Sequence, residues 1–367
     1  MARRCSIALG VLATLMMVSM VTGGQLAAQA PTARPSGPSA KPYVVPKTVD
    51  GQPDISGFWT NSTYIPLQRP NGVTKEFYTP EEMDKVEATA KAREEEQTVP
   101  GTQQDVHYDD GQFGLSRSQG RFARNLRTGL IVDPPDGRIP PQTDEGLKRN
   151  AAIAAARKVG TPPPGFSLRD LTGGDLDSHR GIKIDTRCIM MSAVPPPLMS
   201  PGYLPNYQII QSPGYVTILV ERLHDARIIP LDSRPFPSGK VRSWVGVSRG
   251  HWEGNTLVVE TRNSNGKVQA AERGLMAGQP IAGGSPDMKI IERFTRASPD
   301  RIDYRFTVDD PKTWTKPFTA EVPFERMDPQ GPFFEHACHE GNYSISIMLN
   351  NARLAERKAA EAKKGSN

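Results

Sequence analysis

Proline and glycine interrupt almost every segment of this chain, and that punctuation limits what it can fold into. The chain holds 34 prolines and 33 glycines in 367 residues, well above the roughly 12% usual in proteins. Proline removes a backbone donor and glycine costs entropy inside a helix, so long helices are few. Short strands joined by turns are the remaining way to bury apolar surface. The expected fold is mainly β: an antiparallel meander forming a barrel-like sheet, with an irregular Pro/Gly-rich N-terminal half and a few short helices.

The strand pattern is densest between residues 203 and 350. Tyr207 to Gln211 and Tyr215 to Glu221 flank Ser212-Pro213-Gly214, a hairpin signal. Ala226–Leu231, Val241–Ser248, Thr256–Arg262, Met288–Arg296, Arg301–Val308 and Phe318–Phe324 follow at short spacing. Ile302, Tyr304, Phe306 and Val308 alternate with Asp303, Arg305 and Thr307, and Phe318, Ala320, Val322 and Phe324 repeat the pattern. Period-2 alternation with short connections predicts an antiparallel sheet with one buried face. About eight such strands close most easily into a barrel, which removes exposed edges.

Upstream, residues 51–202 read as an irregular segment packed on that sheet. It begins with a turn into an aromatic strand at Gly57-Phe58-Trp59. Thr79-Pro80-Glu81-Glu82 carries an N-cap, a first-turn proline and a capping-box acid, and predicts a helix to about Gln97. Val99 to Gln119 reads as a loop. Thr128 to Pro140 reads as strand, Pro-Asp-Gly turn, strand. Thr143 to Lys158 predicts a second helix. Residues 351–367 form a charged tail with helical composition.

Residues 1–30 have the layout of a secretory signal peptide: basic Arg3-Arg4, an apolar run from Ile7 to Val21, and small residues with cleavage near Ala28 or Ala30. Residues 31–50 are a Pro-rich linker. The expectation is therefore a periplasmic or secreted protein with no membrane span after signal cleavage. The net charge is +5, and two of the basic residues leave with the signal, so the mature surface is nearly balanced. No Lys/Arg stripe interleaves with aromatics, which argues against nucleic acid as a partner. The sequence names no protein partner.

Cys5 leaves with the signal, and Cys188 and Cys338 remain. An even pair in a compartment that permits disulfides favours a Cys188–Cys338 bridge over two free thiols.

Several segments together resemble an uncharacterised family of exported bacterial proteins: Asp54-Ile-Ser-Gly-Phe-Trp59, Leu130-Ile-Val-Asp-Pro-Pro-Asp-Gly-Arg-Ile-Pro140, Ser248-Arg-Gly-His-Trp-Glu-Gly-Asn-Thr-Leu-Val-Val-Glu260, Phe306-Thr-Val-Asp-Asp-Pro-Lys-Thr-Trp-Thr315 and Ala337-Cys-His-Glu-Gly-Asn-Tyr-Ser344. The resemblance runs from about Gly51 to Asn350 and implies no reaction. Gly57-Phe58-Trp59 is also similar to the G-x-W that opens lipocalin-like barrels, and Trp252 to Val258 to a hairpin of such a barrel. That similarity concerns architecture alone.

Candidate chemistry is sparse. Gly246-Val-Ser-Arg-Gly250 matches the G-x-S-x-G elbow, but the elbow needs a strand before it and a helix after it, and here a hairpin follows. Glu335-His-Ala-Cys-His-Glu340 is the densest reactive group. On a helix His336 and His339 would share a face and suit zinc; the preceding Phe333-Phe334 and following Gly341 favour an extended corner, so no metal is assigned. His224-Asp225 sits in a turn and can hold an oriented imidazole for acid–base work. Asp309-Asp310 suits a strand-ending turn. Glu260, Glu292 and Arg305 lie within strands and would need partners if turned inward. No phosphate loop, dinucleotide fingerprint, haem site or EF-hand is present in the sequence, so no cofactor is expected.

Two functions follow. The first is binding of a small apolar or aromatic molecule in a barrel cavity lined by Trp59, Trp244, Trp252, Trp314 and Arg305. The second is a hydrolase, lyase or isomerase using His224, Asp225, His339 and Glu340. Binding is the leaner reading because no catalytic motif keeps its context. Convergence of His224 with His339 or Glu340 on one concave site would favour the enzyme.

Overall fold

Alternation of apolar and polar side chains decides where the strands run. In the computed structural model the described residues are 43–94, 124–156, 176–177, 182, 184–191, 194–199, 206–267, 283–327 and 334–365. The signal segment, residues 31–42 of the linker, the Val99–Gln119 loop, His107 and His179 lie outside them.

Among the described residues there are ten strands: β1 (Gly57–Thr60), β2 (Ile131–Asp133), β3 (Asn206–Ser212), β4 (Tyr215–Val220), β5 (Ala226–Pro230), β6 (Val247–Glu253), β7 (Thr256–Arg262), β8 (Lys289–Ser298), β9 (Arg301–Asp309) and β10 (Phe318–Arg326). They pair in the order β5-β4-β3-β1-β10-β9-β8-β7-β6, with β2 also on β10, and every pairing is antiparallel. The sheet curls into a nearly closed barrel, as the alternation predicts. At the seam β6 meets β5 where Gly250 has no side chain: a Cβ there would lie 2.9 Å from both Ile229 Cγ2 and Leu231 Cδ2.

The barrel is not confined to residues 203–350. β1 inserts between β3 and β10, and β2 pairs the opposite end of β10, so the N-terminal half contributes strands as well as covering. Val241–Ser248 is another departure. The strand runs later, over Val247–Glu253, because the hairpin turns at Gly254-Asn255 and Glu253 registers with Thr256. The arm after the Pro134–Gly137 turn is no strand; the Gly137 carbonyl and the Ile139 amide are taken by Arg69 and Gln68.

Three helices complete the described structure: α1 (Pro80–Glu94), α2 (Asp144–Ala156) and α3 (Ser344–Gly365). The capping box of α1 forms in both directions, Glu82 N to Thr79 Oγ1 at 3.2 Å and Thr79 N to Glu82 Oε2 at 2.8 Å. The C-terminal helix starts earlier than its tail composition suggests, because Met348 packs on buried Ile182. No helix among the described residues is long and apolar enough to cross a membrane.

The interior is filled. Ile302, Tyr304, Phe306, Val308, Phe318, Ala320, Val322 and Phe324 are all fully buried, the face that the alternation picks out. Phe294 and Tyr304 rings meet at 4.7 Å, Tyr304 and Phe324 at 5.1 Å, and Tyr207 and Phe324 at 5.3 Å. Small barrels packed in this way hold side chains rather than a calyx. One charged pair crosses the core: Arg227 on β5 donates to both carboxylate oxygens of Glu292 on β8, at 2.7 and 3.1 Å. Tyr304 donates to the same carboxylate at 2.8 Å and accepts from Leu198 N at 2.9 Å. Burial pushes the Tyr304 phenol well above its ordinary value, which keeps it a donor.

Candidate functional site

The chain must reverse between β4 and β5, and it does so with strain. Val220 N bonds Asp225 O at 2.9 Å, and Arg222–His224 form a tight turn that is not helical at Leu223. Leu223 and His224 have φ of 62° and 50°. Two successive non-glycine residues in the left-handed region are costly, and such strain persists only when surrounding contacts over-determine it.

Those contacts come from the segment at 334–340. Leu223 N donates to His336 Nδ1 at 3.2 Å. The His224 ring Nε2 lies 3.1 Å from Phe334 O. The Cys188–Cys338 disulfide, with Cα atoms 5.8 Å apart, ties the same segment to residues 184–191, where Cys188 is also left-handed at φ 53°. The expected bridge is present. Asn342 reinforces it, donating to Thr186 O at 2.9 Å.

Between these segments lies a cleft of about 480 Å³ whose lining includes His224, Asp225, Glu335, His336, His339 and Glu340, with both cysteines in the wall. Three of the chain's six histidines therefore share one concave site. The four acid–base candidates, two adjacent pairs more than a hundred residues apart in sequence, converge there.

The shorter hydrogen bonds favour one tautomer for each ring. Phe334 O can only accept, so His224 Nε2 carries the proton and Nδ1 is the ring's basic nitrogen. The His336 amide is also 3.4 Å from His224 Nε2; one nitrogen cannot donate and accept at once, and the shorter carbonyl contact decides. His336 accepts at Nδ1 and so carries its proton on Nε2. Burial, then the Arg222 and His224 charges, hold His336 below its ordinary value. A ¹H–¹³C NMR titration should find the His336 midpoint below 6.5. The sign follows: His336 binds its proton more weakly folded than unfolded, so its stabilising effect is full above the unfolded value and declines as pH falls through the lowered one. A midpoint at or above 6.5 would contradict the half-buried, neutral assignment. Burial also pushes the Asp225 carboxyl upward.

Behind the turn sits a residue with no sequence signal. Glu221 is 1% exposed. Its Oε1 accepts from Phe334 N at 3.1 Å and its Oε2 from Asn206 Nδ2 at 2.7 Å. Burial raises its carboxyl, against the pull of those donors and of His224.

The remaining candidates lie elsewhere. Trp59 and Trp314 are buried in the core; Trp59 donates to Ile55 O at 3.1 Å, and Trp314 packs edge-on against Phe318. Trp252 is half-buried and reaches Gln52, and Trp244 is stacked under Lys267. Arg305 alternates with the buried Tyr304 and Phe306, so it faces outward and pairs with Glu321 at 2.6 Å. None of these five lines the cleft. Ser248 of the elbow-like pentapeptide lies within β6 and bonds Thr261 at 2.8 Å. Asp310 accepts from Ser285 and Thr313 at a buried corner, and Asp309 pairs with Lys289. Glu260 pairs with Arg262 on the outer face, and only Glu292 turns inward. No group of three His, Cys, Asp or Glu among the described residues is placed to hold a metal ion.

No protein-family model, curated protein or solved structure matches this chain.

Proposed function

We propose that this protein is an exported acid–base enzyme, a hydrolase, lyase or isomerase that moves a proton on a small polar molecule in the cleft between the β4–β5 turn and residues 334–340. One observation carries the reading: His224 Nε2 lies 3.1 Å from the Phe334 carbonyl, a contact that calls for the Nε2–H tautomer and leaves the Nδ1 lone pair on a residue that lines one cleft with Asp225, His339 and Glu340. That is how an imidazole is oriented for general base work. In this scheme Nδ1 takes a proton from substrate or from a bound water. A neutral His336 alongside adds no competing positive charge as His224 becomes an imidazolium. The carboxyl of Asp225, which binds its proton more tightly than usual, or His339 of the facing wall returns a proton to the product. The packed aromatic interior speaks against the alternative of an apolar ligand within the barrel.

His224→Gln is the test. The Gln Nε2 amide keeps a donor for Phe334 O and removes the base. Against a panel of chromogenic esters, glycosides, amides and lactones, turnover by the wild type should fall by about 10²- to 10⁴-fold in the variant, the usual contribution of general acid–base catalysis. Equal turnover by both proteins would overturn the reading.

A further inference from the structure

We infer that Glu221 is the positioning residue that holds the two walls of the cleft together, by clasping Phe334 between its own carboxylate and the His224 ring. The inference rests on reading the cleft as the working site. Both backbone groups of Phe334 are engaged: its N–H by Glu221 Oε1 at 3.1 Å and its carbonyl by His224 Nε2 at 3.1 Å. The carbonyl of Glu221 accepts the His224 amide at 3.3 Å, so one residue sets both the base and the segment facing it. Hydrophobic packing does not do this work, because Phe334 is 77% exposed. The segment is held to the turn by hydrogen bonds, while the bridge at Cys338 ties it to Cys188.

The residue type fits the task. A carboxylate accepts from two donors at once and offers none. Here the second donor is Asn206 Nδ2 at 2.7 Å, at the first residue of β3, so the clasp is anchored on the barrel. A carboxyl buried to this extent is costly unless its bonds are made, and a turn needing only closure has the Val220–Asp225 bond already. An apolar residue at 221 would leave both donors unpaired. A glutamine would meet one of them with an NH₂ group.

Glu221→Gln is therefore expected to loosen the cleft and spare the barrel. In hydrogen exchange followed by NMR, the amides of 334–340 should exchange at least about tenfold faster while those of β8 and β9 keep their protection, and the His224 ring resonances should shift. Unchanged exchange and unchanged ring resonances in the folded variant would overturn the assignment. Should Glu221→Gln fail to fold, Phe334→Pro deletes the donor on an exposed residue and leaves Glu221 in place. It should shift the His224 and His336 ring resonances, and unmoved rings would again overturn the clasp. These readouts need no substrate. A wild type that turns over nothing but loses protection in Glu221→Gln would remove the catalytic proposal and leave the clasp standing.

Discussion

Replacing Glu292 by alanine is expected to cost about 3–5 kcal/mol of folding stability, the usual penalty for stranding one member of a buried ion pair. Glu292 is fully buried and Arg227 is 5% exposed. Without the carboxylate, the guanidinium keeps its charge in the aromatic interior, and the Tyr304 hydroxyl loses its acceptor at 2.8 Å. The pair also joins β5 and β8, which are not neighbours in the sheet, so its loss is felt across the barrel. Urea denaturation measures the effect. The double variant Arg227→Met/Glu292→Leu should recover most of the loss, because apolar replacement of both partners is often neutral or better. A loss below about 1 kcal/mol in Glu292→Ala, where 3–5 is usual, would mean that Arg227 finds water or another partner.

The disulfide is the second large effect, and it acts in a different place. Cys188→Ser/Cys338→Ser is expected to lose about 2–5 kcal/mol, since the bridge closes a sequence separation of 150 residues and restricts the unfolded chain accordingly. Both cysteines are in the cleft wall, so the loss should also release residues 334–340 from residues 184–191. The expected signature is a lower denaturation midpoint together with accelerated exchange confined to the cleft, reproduced by reducing the wild type. An unchanged midpoint with cleft amides still protected would show that the hydrogen bonds at Phe334 and Leu223 hold the segment unaided.

Much of the barrel can be read from the sequence because its cause is local. Arg301–Asp309 alternates without a break and Phe318–Arg326 does so except at buried Pro323, and the faces they bury are those the period predicts. Glu292 also announces itself, lying between buried Ile290 and Phe294 on one face of β8. Arg227 shares a face with Ile229 in the same manner. The joining of β1 and β2 to the sheet has no such signature, since a strand of three or four residues is placed by its partners rather than by its own period. Gly250 misleads in the other direction. It resembles a turn or elbow glycine, whereas its role is to let β5 approach β6. The tryptophans fail as cavity markers because a barrel of this size uses its largest side chains to fill itself. Half of the candidate site was legible: His224-Asp225 and His339-Glu340 stand out as reactive pairs, but nothing in the sequence places them opposite each other. Glu221 was invisible for the same reason. It reads as the last residue of a strand, and its function depends on an amide 113 positions away.

The central claim is that the working site is the cleft and not the barrel interior. NMR chemical-shift mapping of the labelled protein with a library of small polar and small aromatic fragments tests this. Shifts should concentrate on the rings of His224, His336 and His339 and on the amides of 334–340, with polar fragments the better ligands. Shifts centred on Tyr207, Phe294, Tyr304 and Phe324, driven by the aromatic fragments, would contradict it and return the barrel interior as the binding site.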